Sequence, residues 1–152
     1  MRRAVFLDRD GVINRKPSPH DYIRSWEQFE LMPAITDWIR LFNALELLVI
    51  VVTNQRGVAR GLVTAAALDD IHTRMKHALE EQGARLDDIF CCPHGENSCE
   101  CRKPKPGLIR AAQEKWEIDL KHSLYLGDSD DDQLLAESCG IPFRWVENGR
   151  LS

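Results

Sequence analysis

The hydrophobic pattern changes its period several times along the chain. Ala4 to Leu7 are four apolar residues in a row, which predicts a short strand buried on both faces. Asn14 to Met32 hold Pro17 and Pro19 and have no clean period. A stretch of this length without regular structure reads as a binding loop or partial lid, with Trp26 and Phe29 packed on the body. Pro33 suits the first turn of a helix, and Ile35, Trp38, Ile39, Phe42 and Leu45 continue at helical spacing. Leu47 to Val52 predict a central strand that ends in Thr53-Asn54-Gln55. Thr64 is the expected N-cap of the next helix. Its buried stripe is Leu68, Ile71, Met75, Ala78 and Leu79, and Gly83 stops it. His72 and His77 are expected at its surface or rim. Ile89 to Cys91 read as a third strand, and Leu108, Ile109, Ala112 and Trp116 as a third helix. Ser123 to Leu126 predict a fourth strand ending in Gly127-Asp128. The acidic run Asp128 to Asp132 opens a short helix through Cys139, with Gly140 as its stop, and Pro142 to Val146 make a last strand.

Strand and helix thus alternate throughout. The expected class is α/β, a doubly wound parallel sheet covered on both faces. A chain of 152 residues with no internal repeat is expected to form one domain, residues 1–152.

Composition adds exclusions. With 43% hydrophobic and 29% charged residues the chain is ordinary for a globular protein. A net charge of −4 argues against a general nucleic-acid binder but not against a locally positive pocket. Leu47 to Val52, the longest apolar run, is too short to span a membrane. Arg2 and Arg3 precede only four apolar residues, so no signal peptide is expected and a cytoplasmic location follows. Five cysteines in a reducing compartment, four of them clustered, suggest a metal rather than disulfides.

The polar residues gather at strand ends. The first strand ends in Asp8 and Asp10, the second in Thr53-Asn54, the fourth in Asp128, and Lys103 follows the third. In a parallel sheet these ends lie on one edge, where ligands bind. Asp8 and Asp128 can share a Mg²⁺, the Thr53 hydroxyl can bind phosphoryl oxygens, and Lys103 can neutralise nucleophile and phosphate. Cys92-x-His94-x₄-Cys99-x-Cys101 offers three sulfurs and one imidazole. That is a complete tetrahedral set with no open position, so a zinc here would be structural; free thiols are the alternative. Cys91 competes with Cys92 but faces the other side of its strand. Cys139 stands alone and is expected in the core. Such a zinc would brace Arg102 and Lys103, which follow at once.

These residues carry a resemblance. Asp8-Arg9-Asp10-Gly11-Val12, Thr53-Asn54-Gln55, Lys103, and Gly127-Asp128 with Asp132 beyond are similar to the four motifs of the haloacid dehalogenase-like (HAD) phosphohydrolases. The resemblance spans nearly the whole chain. It implies strand order 5-4-1-2-3, with Asp8 as the nucleophile that becomes an aspartyl-phosphate. It implies Asp10 as general acid and then base. It also implies a Mg²⁺ held by Asp8, the Asp10 backbone carbonyl and Asp128. The zinc loop followed by Cys-Arg-Lys-Pro resembles two groups within that family, the heptose-bisphosphate phosphatases and the histidinol-phosphate phosphatases. Residues 53–61 are closer to the first. That likeness implies substrate contacts from Arg102, Asn54, Gln55, Arg56 and the His20-Asp21-Tyr22 stretch. Arg60 is a further candidate for a distal phosphate. Two departures stand out: Ser129 lies where both groups usually carry Lys or Arg, and the segment from Asn14 to Tyr22 is a few residues longer. The connections leave no room for a cap domain, so loops or a partner must shield the site. The expected partner is a small phosphorylated sugar, without nucleic acid or membrane, and the chain is expected to act as a monomer. A non-catalytic zinc or phosphate-binding module is the competing class. The Asp8/Asp10 pair argues against it, because a binder needs no proton donor at Asp10.

Overall fold

The computed structural model describes residues 1–95 and 99–151. β1 (Ala4–Leu7), α1 (Pro33–Ala44), β2 (Leu48–Asn54), α2 (Ala65–Glu81), β3 (Asp88–Cys92), α3 (Gly107–Trp116), β4 (Leu124–Gly127), α4 (Asp130–Cys139), β5 (Phe143–Glu147) and β6 (Arg150–Leu151) follow one another. They build a sheet of order β3-β2-β1-β4-β5-β6. The first five strands are parallel, in the order the sequence implies, and β6 adds antiparallel to β5. The chain leaves β1 for β2 on one side and reaches β4 on the other. The ends of β1, β2 and β4 therefore meet at a switch point, where a crevice opens beyond the carboxyl ends.

The apolar run of β1 alternates between two layers. Val5 and Leu7 join Ile35, Ile39, Ile71, Met75 and Leu79 under α1 and α2. Ala4 and Phe6 join Leu108, Ile109, Ala112, Leu135 and Ala136 under α3 and α4. Val49 and Val51 of β2 divide from Leu48, Ile50 and Val52 in the same way. A strand buried on both faces cannot show polar alternation, which is why it reads as a continuous run.

Several expectations are corrected. β2 runs on through Thr53 and Asn54 because these residues pair with Cys91 and Cys92 of β3. Trp38 and Leu45 are exposed, the latter beyond the end of α1, so the buried stripe of that helix is narrower than its spacing suggests. His72 is buried rather than at the rim. Cys139 is half-buried at the edge of the second core layer, not inside it. β6 was not expected, although Asn148-Gly149, both at positive φ, form the two-residue turn that returns it along β5. Among the described residues, a single 3₁₀ turn at Trp26–Gln28 interrupts the loop between β1 and α1. Its Trp26 stacks on Phe29 at 4.9 Å.

Candidate active site

Each strand end delivers its residue to the crevice. Asp8 follows β1 directly, and its Oδ1 accepts the Arg9 backbone N–H at 2.8 Å and lies 3.2 Å from Lys103 Nζ. Lys103 is buried. Its ammonium also reaches Asp132 Oδ1 at 2.7 Å, the Val52 carbonyl at 3.0 Å and the Tyr125 hydroxyl at 3.4 Å. Burial alone would lower the Lys103 pKa, but Asp8, Tyr125 and Asp132 together carry it well above the usual lysine range, so it stays charged. Asp132 is a brace: Lys103 and the Tyr125 hydroxyl (2.8 Å) donate to its Oδ1, and the Asp128 N–H donates to its Oδ2 at 3.2 Å. Gly127 permits this approach, since a Cβ there would lie 2.5 Å from the Asp132 Cβ.

Asp8, Asp128 and Asp132 bring carboxylate oxygens within 4.8 Å of one another. Asp128 Oδ1 is buried without a hydrogen-bond partner, while its Oδ2 accepts from Lys16 at 3.1 Å. Burial raises the Asp8 carboxyl well above its usual range, with the neighbouring acids adding and Lys103 opposing. An orphaned carboxylate oxygen in a crowd of acids is the arrangement a divalent cation relieves, so these residues fit one. Gly11, at φ +89°, turns the chain away tightly enough that a Cβ would meet Asp128 Oδ2 at 2.0 Å.

Asp10 stands on the other wall. Arg9 Nε donates to its Oδ1 at 2.9 Å, Asn14 Nδ2 at 3.0 Å, and Gln55 Nε2 reaches its Oδ2 at 3.4 Å. Arg9 itself has 0% exposure and spans from Asp10 to His72 Nε2, 3.1 Å from its Nη1. Burial, and then the Arg9 charge, push the His72 pKa down to about 4, so the ring is neutral and accepts.

Two adjoining cavities share Asp10, Lys16, Asn54 and Arg102. One, of about 290 Å³, also holds Asp8, Thr53, Lys103, Asp128 and Ser129. The other, of about 230 Å³, is walled by His20, Asp21, Tyr22 and Arg56. Arg102, which lines both cavities, has its Nη1 buried without a hydrogen-bond partner. The Tyr22 hydroxyl accepts from Arg56 Nε at 3.3 Å and Arg60 at 3.4 Å, and Asp21 pairs with Arg24. Two residues expected to contact substrate also hold the site together. The Asn54 amide clasps the Lys103 backbone, accepting its N–H at 3.0 Å and donating to its carbonyl at 3.4 Å. Gln55 is buried beneath the mouth, donating to the Thr53 hydroxyl at 2.9 Å.

Beside the crevice, Cys92, His94, Cys99 and Cys101 converge. Neighbouring ligand atoms lie 3.3 to 3.5 Å apart. A zinc–thiolate tetrahedron has edges of roughly 3.8 Å, so the set fits that ion with a small expansion. Cys91 does lie on the opposite face, where burial pushes its thiol up to about 12, an inert group.

Four members of this arrangement were not singled out by spacing: Lys16, Arg9, His72 and Tyr125. Lys16 sits in an aperiodic loop, Arg9 stands between the two motif aspartates without a role of its own there, and His72 and Tyr125 carry ordinary helix and strand patterning. Only the fold brings them to the crevice.

The sequence matches the polynucleotide kinase 3 phosphatase family over residues 3–144. It is 40% identical over 149 residues to the D-glycero-beta-D-manno-heptose-1,7-bisphosphate 7-phosphatase of Rhodopseudomonas palustris, covering 93% of this chain and 81% of that protein. It is 38% identical over 130 residues to the corresponding alpha-anomer enzyme of Campylobacter jejuni, covering 86% and 73%. The crystal structure of the B. bronchiseptica D,D-heptose 1,7-bisphosphate phosphatase, complexed with magnesium and phosphate, superposes with a TM-score of 0.89 at 35% identity, covering 97% of this chain and 83% of that one. The chain therefore belongs to the polynucleotide kinase 3 phosphatase family within the HAD superfamily, and it is a phosphoric monoester hydrolase.

Proposed function

We propose that this phosphatase removes the 7-phosphate of a D-glycero-D-manno-heptose 1,7-bisphosphate through an aspartyl-phosphate on Asp8. The observation that carries the reading is the pair of joined cavities. One holds Asp8, Asp128 and Lys103, the other holds Arg56, and Arg102, with an unpartnered guanidinium nitrogen, borders both. A substrate with two phosphates places one in each. Arginine suits the outer one because its planar fork binds phosphate through two hydrogen bonds. Relatives named for this reaction, on both anomers, support the assignment.

Asp8 Oδ1 is tied to Arg9 N–H and Lys103, which leaves Oδ2 to attack phosphorus. Lys103, itself buried, offsets the charge of nucleophile and phosphoryl group. Asp10 protonates the departing sugar oxygen and then takes a proton from the water that hydrolyses the acyl phosphate. Its Oδ1 is held by Arg9 and Asn14, so Oδ2 is the oxygen that carries the proton. Thr53 and the adjacent backbone hold phosphoryl oxygens. Asp8, the Asp10 carbonyl and Asp128 would hold a Mg²⁺, which when bound neutralises phosphoryl charge and fixes the group in line. Cys92, His94, Cys99 and Cys101 would hold a structural Zn²⁺, and reduced ligand thiols suit a cytoplasmic setting.

The test is phosphate release by purified enzyme with Mg²⁺, comparing heptose 1,7-bisphosphate, histidinol phosphate and a simple monophosphate ester. The expected result is fastest turnover of the bisphosphate, leaving the 1-phosphate. Faster reaction with histidinol phosphate would overturn the assignment, since an amine-bearing substrate needs acids where Arg56 and Arg102 stand.

A further inference from the structure

The position after Asp128 brings no cation to the crevice. Ser129 is the N-cap of α4, and its hydroxyl accepts the Asp132 N–H at 3.2 Å. Lys103 is buried and bound to Asp8 and Asp132. Among the described residues, the remaining ammonium at the mouth is Lys16. Its side chain is 56% exposed, against 11% for its partner Asp128, and it borders both cavities. Its placement is not arbitrary. The chain just before it is anchored, because Met32 N–H donates to the Ile13 carbonyl and Arg15 N–H to the Glu30 carbonyl, each at 2.8 Å. Past that anchor, Lys16 contacts Asp128 Oδ2, the oxygen other than the buried, partnerless Oδ1.

We propose that Lys16 is a shared cation of this site. It neutralises Asp128 in the metal-free enzyme and passes to the phosphate oxygens of the substrate once metal and phosphate are bound. The inference rests on the metal-dependent phosphatase reading. A divalent cation between Asp8 and Asp128 repels an ammonium held at the same carboxylate, and a bound phosphate offers that ammonium a better partner within reach of a flexible four-carbon stem. Lys16 and metal therefore oppose each other when alone, and Lys16 and phosphate cooperate when the metal is present. A side chain that only orients Asp128 would weaken both ligands on removal.

Direct binding separates these cases. Mn²⁺ affinity without phosphate is read by electron paramagnetic resonance, and inorganic phosphate affinity with saturating Mn²⁺ by calorimetry. Lys16→Met should tighten Mn²⁺ about fivefold by removing the competing charge, and weaken phosphate about tenfold by removing a charge-assisted bond. Lys16→Arg should restore both toward wild type. Shifts of the same sign, or no shift in either, would overturn the proposal while leaving the metal site intact. A wild-type enzyme that binds no Mn²⁺ would overturn the metal-dependent reading, and this proposal with it.

Discussion

At the scale of single residues, the two catalytic candidates Asp8 and Asp10 differ in what depends on them. Asp8 shares Lys103 with Asp132, and its charge is costly where it stands. Asp8→Asn should abolish turnover and yet be at least as stable as wild type in urea titration without metal, because Lys103 keeps Asp132. Asp10 is the carboxylate partner of Arg9, which has no exposure at all. Asp10→Asn should therefore lose turnover and also about 3 kcal/mol of stability, the cost of leaving a buried charge unpaired. Equal stability of the two variants would remove Arg9 from this account. His72, on the far side of Arg9, gives a pH dependence. Its folded pKa of about 4 lies below the ordinary 6.5. Between those values the unfolded chain takes up a proton that the folded chain refuses, so stability falls as pH drops from about 6.5 to about 4. The full effect is about 3 kcal/mol. His72→Gln keeps an acceptor for Arg9 and cannot protonate, so its stability should fall less than wild type over that window.

At the scale of elements, the Cys/His loop and α3 act as one piece. Gly107 N–H donates to the Glu100 carbonyl at 3.1 Å, and a Cβ on Gly107 would lie 2.4 Å from that oxygen. Lys105 reaches back to the Cys99 carbonyl at 2.8 Å. Between these ties run Arg102 and Lys103, whose backbone Asn54 grips from β2. Loss of the metal-ligand set should thus reach the active site through the chain itself. Elemental analysis should find one zinc per chain. Cys99→Ala should lower both melting temperature and turnover, with a chelator doing the same to wild type. Unchanged melting in chelator, with no zinc found, would make this loop a thiol cluster without a metal.

At the scale of the whole molecule, the joined cavities assign different work to the two cationic walls. Arg102→Ala should raise KM for the heptose bisphosphate about tenfold or more and leave a simple monophosphate ester nearly unaffected, since the ester lacks the outer phosphate. Equal losses on both substrates would move Arg102 to the reacting phosphate. The shape that makes the comparison possible is the switch point: β1 between β2 and β4 brings residues 8, 53, 103 and 128 to one edge.

The sequence by itself determined the order of strands and helices, the four strand-end motifs and the Cys/His spacing of the candidate metal loop. Each of these is written locally. A continuous apolar run, a cap such as Thr64, or Cys92 and His94 two apart needs no distant partner to be legible. Tertiary structure decided the rest, because the deciding contacts join residues far apart in the chain. Lys16 reaches Asp128 across 112 positions, and Arg9 makes a core residue of His72 across 63. His72 lies one step from Ile71 on a helix whose sequence marks it as polar, and only the buried guanidinium beneath explains why it points inward. Asn54 and Gln55 show the same limit. Their motif places them at a phosphate site, and only the fold shows that they also hold the backbone of Lys103 and the hydroxyl of Thr53.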